Sequence, residues 1–429
     1  MVTVNWNGRQ HLSSLLPSLQ ALQCKEILLV DNGSQDGSQD FIRQRYPQMR
    51  LIENPTNQGF AHPCNQGAQA ASGRVVAFIN NDMRAERGWL DEALPLLQGP
   101  VACVASRILD WEGKKIDFNG SSMQYLGFAL QSDLGRLVKE VSHQDRILFP
   151  CGGAFLVDRE VFLEVGGFDA SYFAVFEDVD LGWRLWLSGY EVAFAARSQT
   201  FHRGHATFEQ HAEAKMRYLM HRNALMTIFK NYQEENFQRI LPLALRMAVK
   251  RAVLLSGVRK ESFYLWAQAR HELRSGDRLV QDRWIDALNH LIALDDVLES
   301  LPRLMEERGR IQARRKRPDE EILELFNDPM RRIVEDVEYD MEEASWMESL
   351  QLDQLFQPRL DGPALEERWS EKLKQMRAEL NAARWVANAA WQHPPAPSRP
   401  RLGSLLQSLR RNGLRITWNR ILQRVRHGS

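Results

Sequence analysis

Amide and carboxylate side chains recur where the apolar runs in the N-terminal half of the chain end. Four such runs end in the segments NWNG (5–8), DNGS (31–34), NPTNQG (54–59) and NND (80–82). If the runs are neighbouring parallel strands, their carboxyl ends meet at one edge of the sheet, where ligands bind in open α/β folds. Asn, Asp and Gly also form turns and helix caps, so each segment alone has a structural explanation. Four converging ends favour a polar binding site.

A second group of acids opens the segment FEDVDLGWRL, in which Glu177, Asp178 and Asp180 precede an amphipathic helical pattern. Carboxylates held together raise one another's pKa, an arrangement that acid–base catalysis uses. Acids at a helix N-terminus are also stabilised by the helix dipole, so capping is the alternative interpretation. We expect Asp180 to pair with Arg184 one turn later. Glycine and aromatic residues in 166–173 predict a loop over a cleft.

The elements that would position these residues follow from the hydrophobic pattern. The predicted strands are 2–4, 27–30, 51–52, 75–79 and 101–105, and the predicted helices are 11–22, 38–46, 60–71 and 87–97. This alternation predicts an α/β fold with a mostly parallel sheet and helices on both faces. Residues 108–149 break the rhythm and favour irregular or antiparallel strands. A strand at 154–157 and helices at 160–165 and 178–188 form a second unit.

Composition divides the chain into regions. Nineteen of the 26 glycines precede residue 206, and the remainder is helical in pattern and rich in Leu, Arg, Glu and Gln. We predict an α/β domain over 1–207, a helical region over 208–392, a Pro-rich linker over 393–400 and a basic amphipathic tail over 401–429.

Two segments of the helical half combine apolar and basic residues. The tail has seven arginines and no acid, and Leu414, Trp418 and Ile421 fall on one helical face. This pattern favours contact with anionic lipid or an acidic partner, and a solvated basic tail is the alternative. For 240–255, a membrane-surface helix and a helix packed on the first domain both fit the pattern.

Length and composition exclude several classes of protein. The 429 residues carry 55 basic and 55 acidic side chains, and this zero net charge gives no indication of nucleic-acid binding. Four scattered cysteines favour reduced thiols in a cytoplasmic protein. The sequence contains no run of about 18 apolar residues, the length that a transmembrane helix needs. It therefore predicts a soluble or peripheral protein. Neither a P-loop nor GxGxxG follows the first run, so the usual ATPase and dinucleotide motifs are absent.

Eight segments together resemble a known family. They are VNWNG (4–8), VDNGSQDGS (30–38), NQGFAHPCNQG (57–67), INND (79–82), CGGAFLVDREVFLEVGGFD (151–169), FEDVDLGWRL (176–185), HRGHAT (202–207) and RNALMTIFKNY (222–232). In this order they resemble the family 2 glycosyltransferases of the GT-A fold, in particular the bacterial rhamnosyltransferase-like branch. The resemblance covers residues 2–232.

The resemblance implies a nucleotide-sugar donor. The implied substrate-binding residues are Asn5 and Asp31 at the nucleotide base and ribose, Asn57 and Asn65 beside the same pocket, and Asn80 and Gly153. A carboxylate that accepts a hydrogen bond from a base N–H is a physical role for Asp31. The donor is a dTDP-, UDP- or GDP-sugar, and dTDP-rhamnose is the one that the resemblance suggests.

The resemblance also implies a divalent metal on the donor diphosphate. Asp82 matches the last carboxylate of the family's DxD motif, whereas Asn80 stands at its first acidic position. A hard ion such as Mg²⁺ or Mn²⁺ suits one carboxylate, phosphate oxygens and water. His202 matches the histidine that completes the metal shell in the family, and His205 is the alternative.

The catalytic base implied by the resemblance is Asp178, with Glu177 beside it. The base would take the proton of an acceptor hydroxyl, on a glycan or a lipid-linked acceptor, and direct displacement would invert the anomeric centre. Such a reaction serves cell-surface polysaccharide synthesis and would place the enzyme in the cytoplasm, at the inner face of the membrane if the tail binds lipid.

Two other functions remain open, and so does the question of a cysteine nucleophile. A nucleotidyltransferase that makes nucleotide-sugars has a similar sheet, but it opens with a Gly-rich basic loop, and residues 5–17 hold only one glycine and Arg9. A degenerate transferase that acts as an interaction scaffold would explain Asn80 and the long helical half. Cys151 could suggest a thiol nucleophile, although a packed, inert thiol at a strand start is favoured.

Overall fold

The computed structural model describes residues 1–204, 210–256 and 278–356. The described residues belong to one compact unit. The alternative metal ligand His205, the predicted linker at 393–400 and the predicted tail at 401–429 lie outside them.

A mixed sheet forms the centre of the molecule. Its strands are β1 (Val2–Asn5), β2 (Leu28–Asp31), β3 (Arg50–Glu53), β4 (Val75–Ile79), β5 (Met83–Ala85), β6 (Val101–Asp110), β7 (Ile116–Phe118), β10 (Ala154–Asp158) and β11 (Glu191–His202). The order is β3-β2-β1-β4-β10-β6-β11-β5, and β7 pairs with β6. The predicted strands up to residue 105 are thereby confirmed, with shifts of one or two residues at most ends and a longer β6.

The first helices also lie where the sequence places them. They are α1 (Arg9–Gln20), α2 (Ser38–Arg45), α3 (Ala61–Ala70), α4 (Trp89–Ala93), α5 (Arg159–Glu164) and α6 (Glu177–Leu187). The predicted helix over 87–97 is shorter as an α-helix, and its last turn is a 3₁₀-helix, Leu94–Leu96. Pro95 lacks the backbone N–H that a continuing α-helix would use at this point.

The predicted parallel arrangement holds in two parts of the sheet. Strands β3, β2, β1 and β4 are parallel, as are β6 and β11. Strand β10, by contrast, runs antiparallel to both of its neighbours, β4 and β6. Strand β10 follows the irregular stretch 108–149 rather than a crossover helix. It therefore begins at the edge of the sheet where β4 ends. The start of β10 therefore lies beside the polar ends of the parallel strands.

The stretch 108–149 contains the antiparallel pairing that the sequence favours. Strand β7 pairs with β6, and β8 (Ser121–Met123) pairs with β9 (Ala129–Gln131) as a separate two-stranded sheet. Its apolar residues Tyr125, Leu126 and Leu148 are almost completely buried. Part of this stretch therefore packs in the core, whereas residues 131–146 are exposed or half-buried.

Helices dominate the described residues after 209. They are α7 (Gln210–Asn231), α8 (Glu234–Ser256), α9 (Arg278–Glu299), α10 (Leu301–Ala313), α11 (Asp319–Leu323), α12 (Val337–Ser349) and α13 (Leu352–Leu355). Trp183 of α6 packs edge-on against Tyr232, with 4.9 Å between ring centroids, and against Phe326 at 5.2 Å. Because these rings are buried, the helical region is continuous with the core of the α/β domain.

The apolar stripe of 240–255 packs inside the protein. Ile240, Leu243 and Met247 of α8 are each at most 1% exposed, and Arg251 is buried where it donates to Tyr339 Oη. The structure favours a packed helix over a membrane-surface helix, but α8 packs mainly against α7, α9 and α12 rather than against the first domain. Among the described residues, no helix has both the length and the hydropathy that crossing a membrane requires.

Candidate active site

Asn5 and Asp31 form a buried pair at the end of the parallel strands. They are register partners across β1 and β2, and Asn5 Nδ2 donates to Asp31 Oδ2 at 3.0 Å. Asp31 Oδ1 also accepts from Ser34 N and from Gln39 Nε2, while Asn81 Nδ2 donates to Asn5 Oδ1. The ends of β1, β2 and β4 therefore come together as predicted, with Asn5 and Asp31 at the floor of the site.

Two of the other predicted amides, Asn57 and Asn65, form hydrogen bonds with backbone groups. Asn57 Oδ1 accepts from Asn32 Nδ2 and from Gly59 N, both at 2.9 Å, which fixes the turn after β3. Asn65 donates to the carbonyl oxygen of Phe168 at 2.7 Å and accepts from its N–H at 2.8 Å. Both polar ends of Asn65 are thus used to hold the turn before the acidic helix against α3.

Gly152 and Gly153 connect the turn after β4 to the acidic helix. The N–H of Asn80 donates to the carbonyl oxygen of Gly153 at 2.9 Å. One residue earlier, the N–H of Gly152 donates to Asp178 Oδ2 at 2.6 Å. A Cβ atom at Gly152 would lie 3.3 Å from Asp178 Oδ2, a tight approach that glycine avoids. The antiparallel β10 thus brings Asp178 beside the residues that follow β4.

Glu177 and Asp178 lie in a poorly solvated part of the site. Burial raises the pKa of Asp178, although the hydrogen bonds from Gly152 and Val179 oppose the shift. Burial, together with the charge of Asp178, raises the pKa of Glu177 to about 8. Glu177 Oε2 is buried and has no hydrogen-bond partner among the described residues. Two adjacent carboxyls with raised pKa values are suited to proton transfer near neutral pH.

Asp82 and His202 meet at the end of β11. The atoms His202 Nε2 and Asp82 Oδ2 are 3.1 Å apart, and His202 Nδ1 lies 2.5 Å from Asp117 Oδ2. Although burial opposes it, hydrogen bonding to the two carboxylates raises the pKa of His202 to about 10. Asp82 Oδ1 is buried without a hydrogen-bond partner among the described residues. A buried carboxylate oxygen without a partner is a group that a bound water or ion would satisfy.

The predicted pair of Asp180 and Arg184 forms, with Arg184 Nε 2.8 Å from Asp180 Oδ2. The same carboxylate, completely buried, also contacts Lys230 Nζ of α7 at 3.0 Å, and Lys230 lies 2.7 Å from Asp169. Arg184 further donates to the backbone oxygen of Gly167. These residues hold the acidic helix to its preceding turn and to the helical region.

The four cysteines are free thiols. Burial raises the pKa of the Cys151 thiol, which disfavours the thiolate that a nucleophile needs. The structure therefore favours the packed, inert thiol over a catalytic one.

Two residues of the site, Asp117 and Gly152, are not among the predicted site residues, although Gly152 lies within the segment 151–169. Asp117 lies in the stretch 108–149, which contains no motif, and it reaches His202 across 85 residues of chain. Gly152 acts through its backbone N–H, a group that every residue except proline carries. Asn81 belongs to the INND segment and could have been identified there.

Two models of known protein families match parts of this chain. The family model "Glycosyl transferase family 2" matches residues 2–166, and "Glycosyl transferase family group 2" matches residues 90–270. Through this region the chain belongs to the family 2 glycosyltransferases. The predicted family resemblance is thereby confirmed, and the mixed sheet with its helices is the predicted GT-A fold.

Two curated relatives of this glycosyltransferase chain come from bacteria. An O-antigen biosynthesis protein of Myxococcus xanthus is 30% identical over 200 residues, which are 44% of this chain and 16% of that protein. An N-acetylglucosaminyl-diphospho-decaprenol L-rhamnosyltransferase of Mycobacterium tuberculosis is 29% identical over 244 residues, 48% of this chain and 76% of that one. This chain therefore spans about one sixth of the first relative and three quarters of the second.

Among solved structures, GalNAc-T7 with UDP, GalNAc and Mn²⁺ aligns with a TM-score of 0.44 and 16% identity. The alignment covers 57% of this chain and 50% of that one.

Proposed function

We propose that the protein is an inverting glycosyltransferase that moves a sugar from a nucleotide-sugar to an acceptor hydroxyl group. The observation that carries the proposal is the pair of hydrogen bonds at Gly152 and Gly153. They tie Asp178 to the turn that carries Asn80 and Asp82. A carboxylate base beside a turn able to bind a diphosphate supplies the two groups that direct displacement needs.

Asp178 is the base in this proposal. It accepts the proton of the acceptor hydroxyl while that oxygen forms a bond to the anomeric carbon. The bond from this carbon to the diphosphate oxygen breaks, the diphosphate leaves with the electron pair, and the configuration inverts. Asp178 accepts hydrogen bonds from the N–H groups of Gly152 and Val179, which favour its ionised form. Glu177 Oε2, by contrast, has no partner among the described residues, so Asp178 is the carboxyl that ionises more readily.

A divalent cation fits the donor set at Asp82 and His202 if it displaces the Nε2 proton that the two carboxylates otherwise stabilise on His202. Asp82 presents a buried, unpaired carboxylate oxygen, and Asp117 contacts His202 Nδ1, the kind of partner that fixes the ring of a metal-binding histidine. We propose that Asp82 and His202 would hold the ion, with Asn80 in the substrate site beside them. When bound, the ion would neutralise charge on the leaving diphosphate.

The donor nucleotide is proposed to lie over the ends of β1 and β2. Asn5 and Asp31 form the floor of this region, and Asn57 fixes the turn at its side. Asn65 supports the same region indirectly, since its amide holds the backbone of Phe168. Gly153 lies at the opposite side, at the start of β10.

The sugar and the acceptor are proposed from the relatives. One is named for O-antigen biosynthesis and the other for rhamnose transfer to a diphospho-decaprenol acceptor. We infer that this chain acts in cell-surface polysaccharide synthesis, with rhamnose from dTDP-rhamnose as the first sugar to test. The acceptor is a glycan or a lipid-linked glycan.

The test is a donor-hydrolysis and transfer screen with dTDP-, UDP- and GDP-sugars, in the presence of Mg²⁺ or Mn²⁺. We expect release of the nucleoside diphosphate from one donor class, and an inverted product once an acceptor is supplied. Asp178→Asn keeps the shape of the side chain but removes its basicity, so turnover should fall by about 10²–10⁴-fold while donor binding persists.

Asp158→Asn serves as the matched control, because Asp158 caps α5 and an asparagine can cap it equally well. Its turnover should equal that of the unmodified protein. No product from any donor would favour the scaffold function, and nucleotide-sugar formation from a nucleoside triphosphate would identify a nucleotidyltransferase. Turnover above about a tenth of normal in Asp178→Asn would move the base to another carboxyl group.

A further inference from the structure

The loop between the 3₁₀-helix Ala170–Tyr172 and α6 has an unusual backbone. Phe173, Val175 and Phe176 have φ angles of 64°, 73° and 67°. Positive φ is unfavourable for residues with a Cβ atom, most of all for a β-branched residue such as valine. Such a conformation persists only where the surrounding structure holds it. The loop ends at Phe176, and Asp178 follows two residues later.

One buried side chain holds most of this loop. Asn223 of α7 is completely buried, and its Nδ2 atom lies 3.2, 2.9 and 2.6 Å from the carbonyl oxygens of Tyr172, Ala174 and Val175. An amide N–H₂ group has two protons to donate, and here it faces three carbonyls that turn inward because of the positive φ angles.

Arg222 fixes the orientation of this amide. Its Nε donates to Asn223 Oδ1 at 3.0 Å, so the amide must turn its N–H₂ group toward the loop. A second nitrogen of Arg222 donates to the carbonyl oxygens of Ser171 and Tyr172 at 2.8 and 3.0 Å. The guanidinium is itself held by Asp296 of α9 at 3.1 Å. A chain of hydrogen bonds therefore runs from α9 through α7 to the loop.

The first helix turn of α6 depends on where this loop ends. Phe176 is the N-terminal flanking residue of α6, in a left-handed conformation. The carboxylate of Asp178 must reach the N–H of Gly152, at 2.6 Å, from this starting point. Farther along α6, Lys230 and Asn231 of α7 contact Asp180 instead. Helix α7 thus contacts Asp180 of α6 through its last residues, Lys230 and Asn231, and contacts the loop before α6 through Asn223.

We infer that Asn223, oriented by Arg222, is a positioning residue that holds Asp178 in place for proton transfer. The inference rests on the proposed function of Asp178 as the base. It gives the helical region a part in the reaction, because the groups that fix the base come from α7 and α9 rather than from the sheet.

The test replaces Asn223 in the full chain. Asn223→Asp keeps the size of the side chain but sets carboxylate oxygens against three carbonyls, and Asn223→Ala removes the donor without adding charge. We expect kcat to fall by about 10- to 100-fold in the alanine variant, since a displacement of about 1 Å can cost that much. The donor KM and the affinity for the nucleoside diphosphate should change by less than about twofold, because a displaced base affects the chemical step rather than donor binding.

Asn236 provides a matched control for a purely structural effect. It is also a buried asparagine, but it donates to Asp319 of α11 instead of to the loop before α6. Asn236→Ala should lower the melting temperature, as Asn223→Ala does, and leave kcat unchanged. If the two variants lose kcat equally, or if Asn223→Ala weakens donor binding as much as kcat, the positioning role is wrong.

A double variant separates this inference from the proposed function. In an Asp178→Asn background, Asn223→Ala should reduce single-turnover rates by less than about threefold, because the group it positions no longer acts as a base. Full multiplication of the two losses would overturn the inference. If Asp178→Asn is impaired while Asn223→Ala and Asn223→Asp keep normal kcat, only the positioning role fails. If Asp178→Asn itself is fully active, the proposed base is wrong.

Discussion

Asp178 and Glu177 show how burial prepares individual side chains for chemistry. The pKa of a solvated aspartate is near 3.9, whereas burial raises that of Asp178 to about 6. Among the described residues, the titratable groups that interact with it are Glu177 and the thiol of Cys151, both with raised pKa values of their own. None of these neighbours is a cation that would lower the pKa of Asp178.

The pH dependence of the reaction follows from this shift. A base works only when deprotonated, so kcat should decline as the pH falls through about 6, about two units above the range of an ordinary aspartate. The measurement is kcat between pH 5 and 9 at saturating donor, with circular dichroism at each pH to show that the fold persists. A profile that stays flat down to pH 5 would contradict a raised pKa at the base.

Asp117 is the second side chain with a testable role. Asp117→Asn should weaken Mn²⁺ affinity by about 10- to 100-fold, because the asparagine no longer fixes the ring of His202 by charge. The measurement is a Mn²⁺ titration of donor hydrolysis after treatment with EDTA, which should itself abolish turnover. Asp145→Asn is the control, since the side chain of Asp145 is 96% exposed. Unchanged Mn²⁺ affinity in Asp117→Asn, or full turnover in EDTA, would contradict the metal role.

Among the elements, α6 and α7 are joined by a buried ionic cluster. Lys230 Nζ lies 2.7 Å from Asp169 and 3.0 Å from Asp180, and the lysine side chain is 1% exposed. The positive charge of Lys230 contributes to the lowered pKa values of both aspartates, although burial opposes it. The cluster therefore adds to the positive charge around these acids, since Asp180 also pairs with Arg184 and Asp169 lies 3.7 Å from Arg303.

Removing this lysine should destabilise the protein. Lys230→Met leaves two buried carboxylates with less compensation, and we expect the free energy of unfolding to fall by about 3–5 kcal/mol. Denaturant unfolding monitored by tryptophan fluorescence measures the change, and Lys139→Met, at an exposed position, is the control. A loss below about 1 kcal/mol, the range of exposed ion pairs, would show that the cluster does not hold the two helices together.

At the scale of the whole molecule, the composition of residues 401–429 predicts a contact with an anionic membrane surface. These residues lie outside the described part of the chain. Replacing Arg410, Arg411 and Arg415 with glutamine should reduce sedimentation with anionic liposomes, because each arginine near such a surface contributes about 1 kcal/mol. Binding of the unmodified chain should also weaken as salt rises. Glutamine at the exposed Arg43, Arg136 and Arg197 is the control. If the unmodified chain does not bind at low salt, the tail is better interpreted as a docking segment for a protein.

The sequence by itself determined the elements and most of the polar residues at the strand ends. Apolar runs and helical spacing are local properties, so β1 to β4 and α1 to α3 could be placed within about two residues. The proximity of Asn5 and Asp31 also followed, because both residues end parallel strands whose carboxyl ends meet at one edge of the sheet, whereas their hydrogen bond was not predicted. The acids of α6 and the pair of Asp180 with Arg184 needed only the helical period.

Only the tertiary structure decided which of these residues act together. Asp117 reaches His202 across 85 residues, and Asn223 reaches the loop before α6 across about 50. The antiparallel direction of β10 brings Gly152 to Asp178, and no local pattern shows the direction of a buried strand. Such contacts depend on how distant elements pack, and the same local sequence is compatible with many packings. Several residues of the proposed site could therefore be named from the sequence and its family resemblance, whereas Asp117, Gly152 and the groups that position the base required the fold.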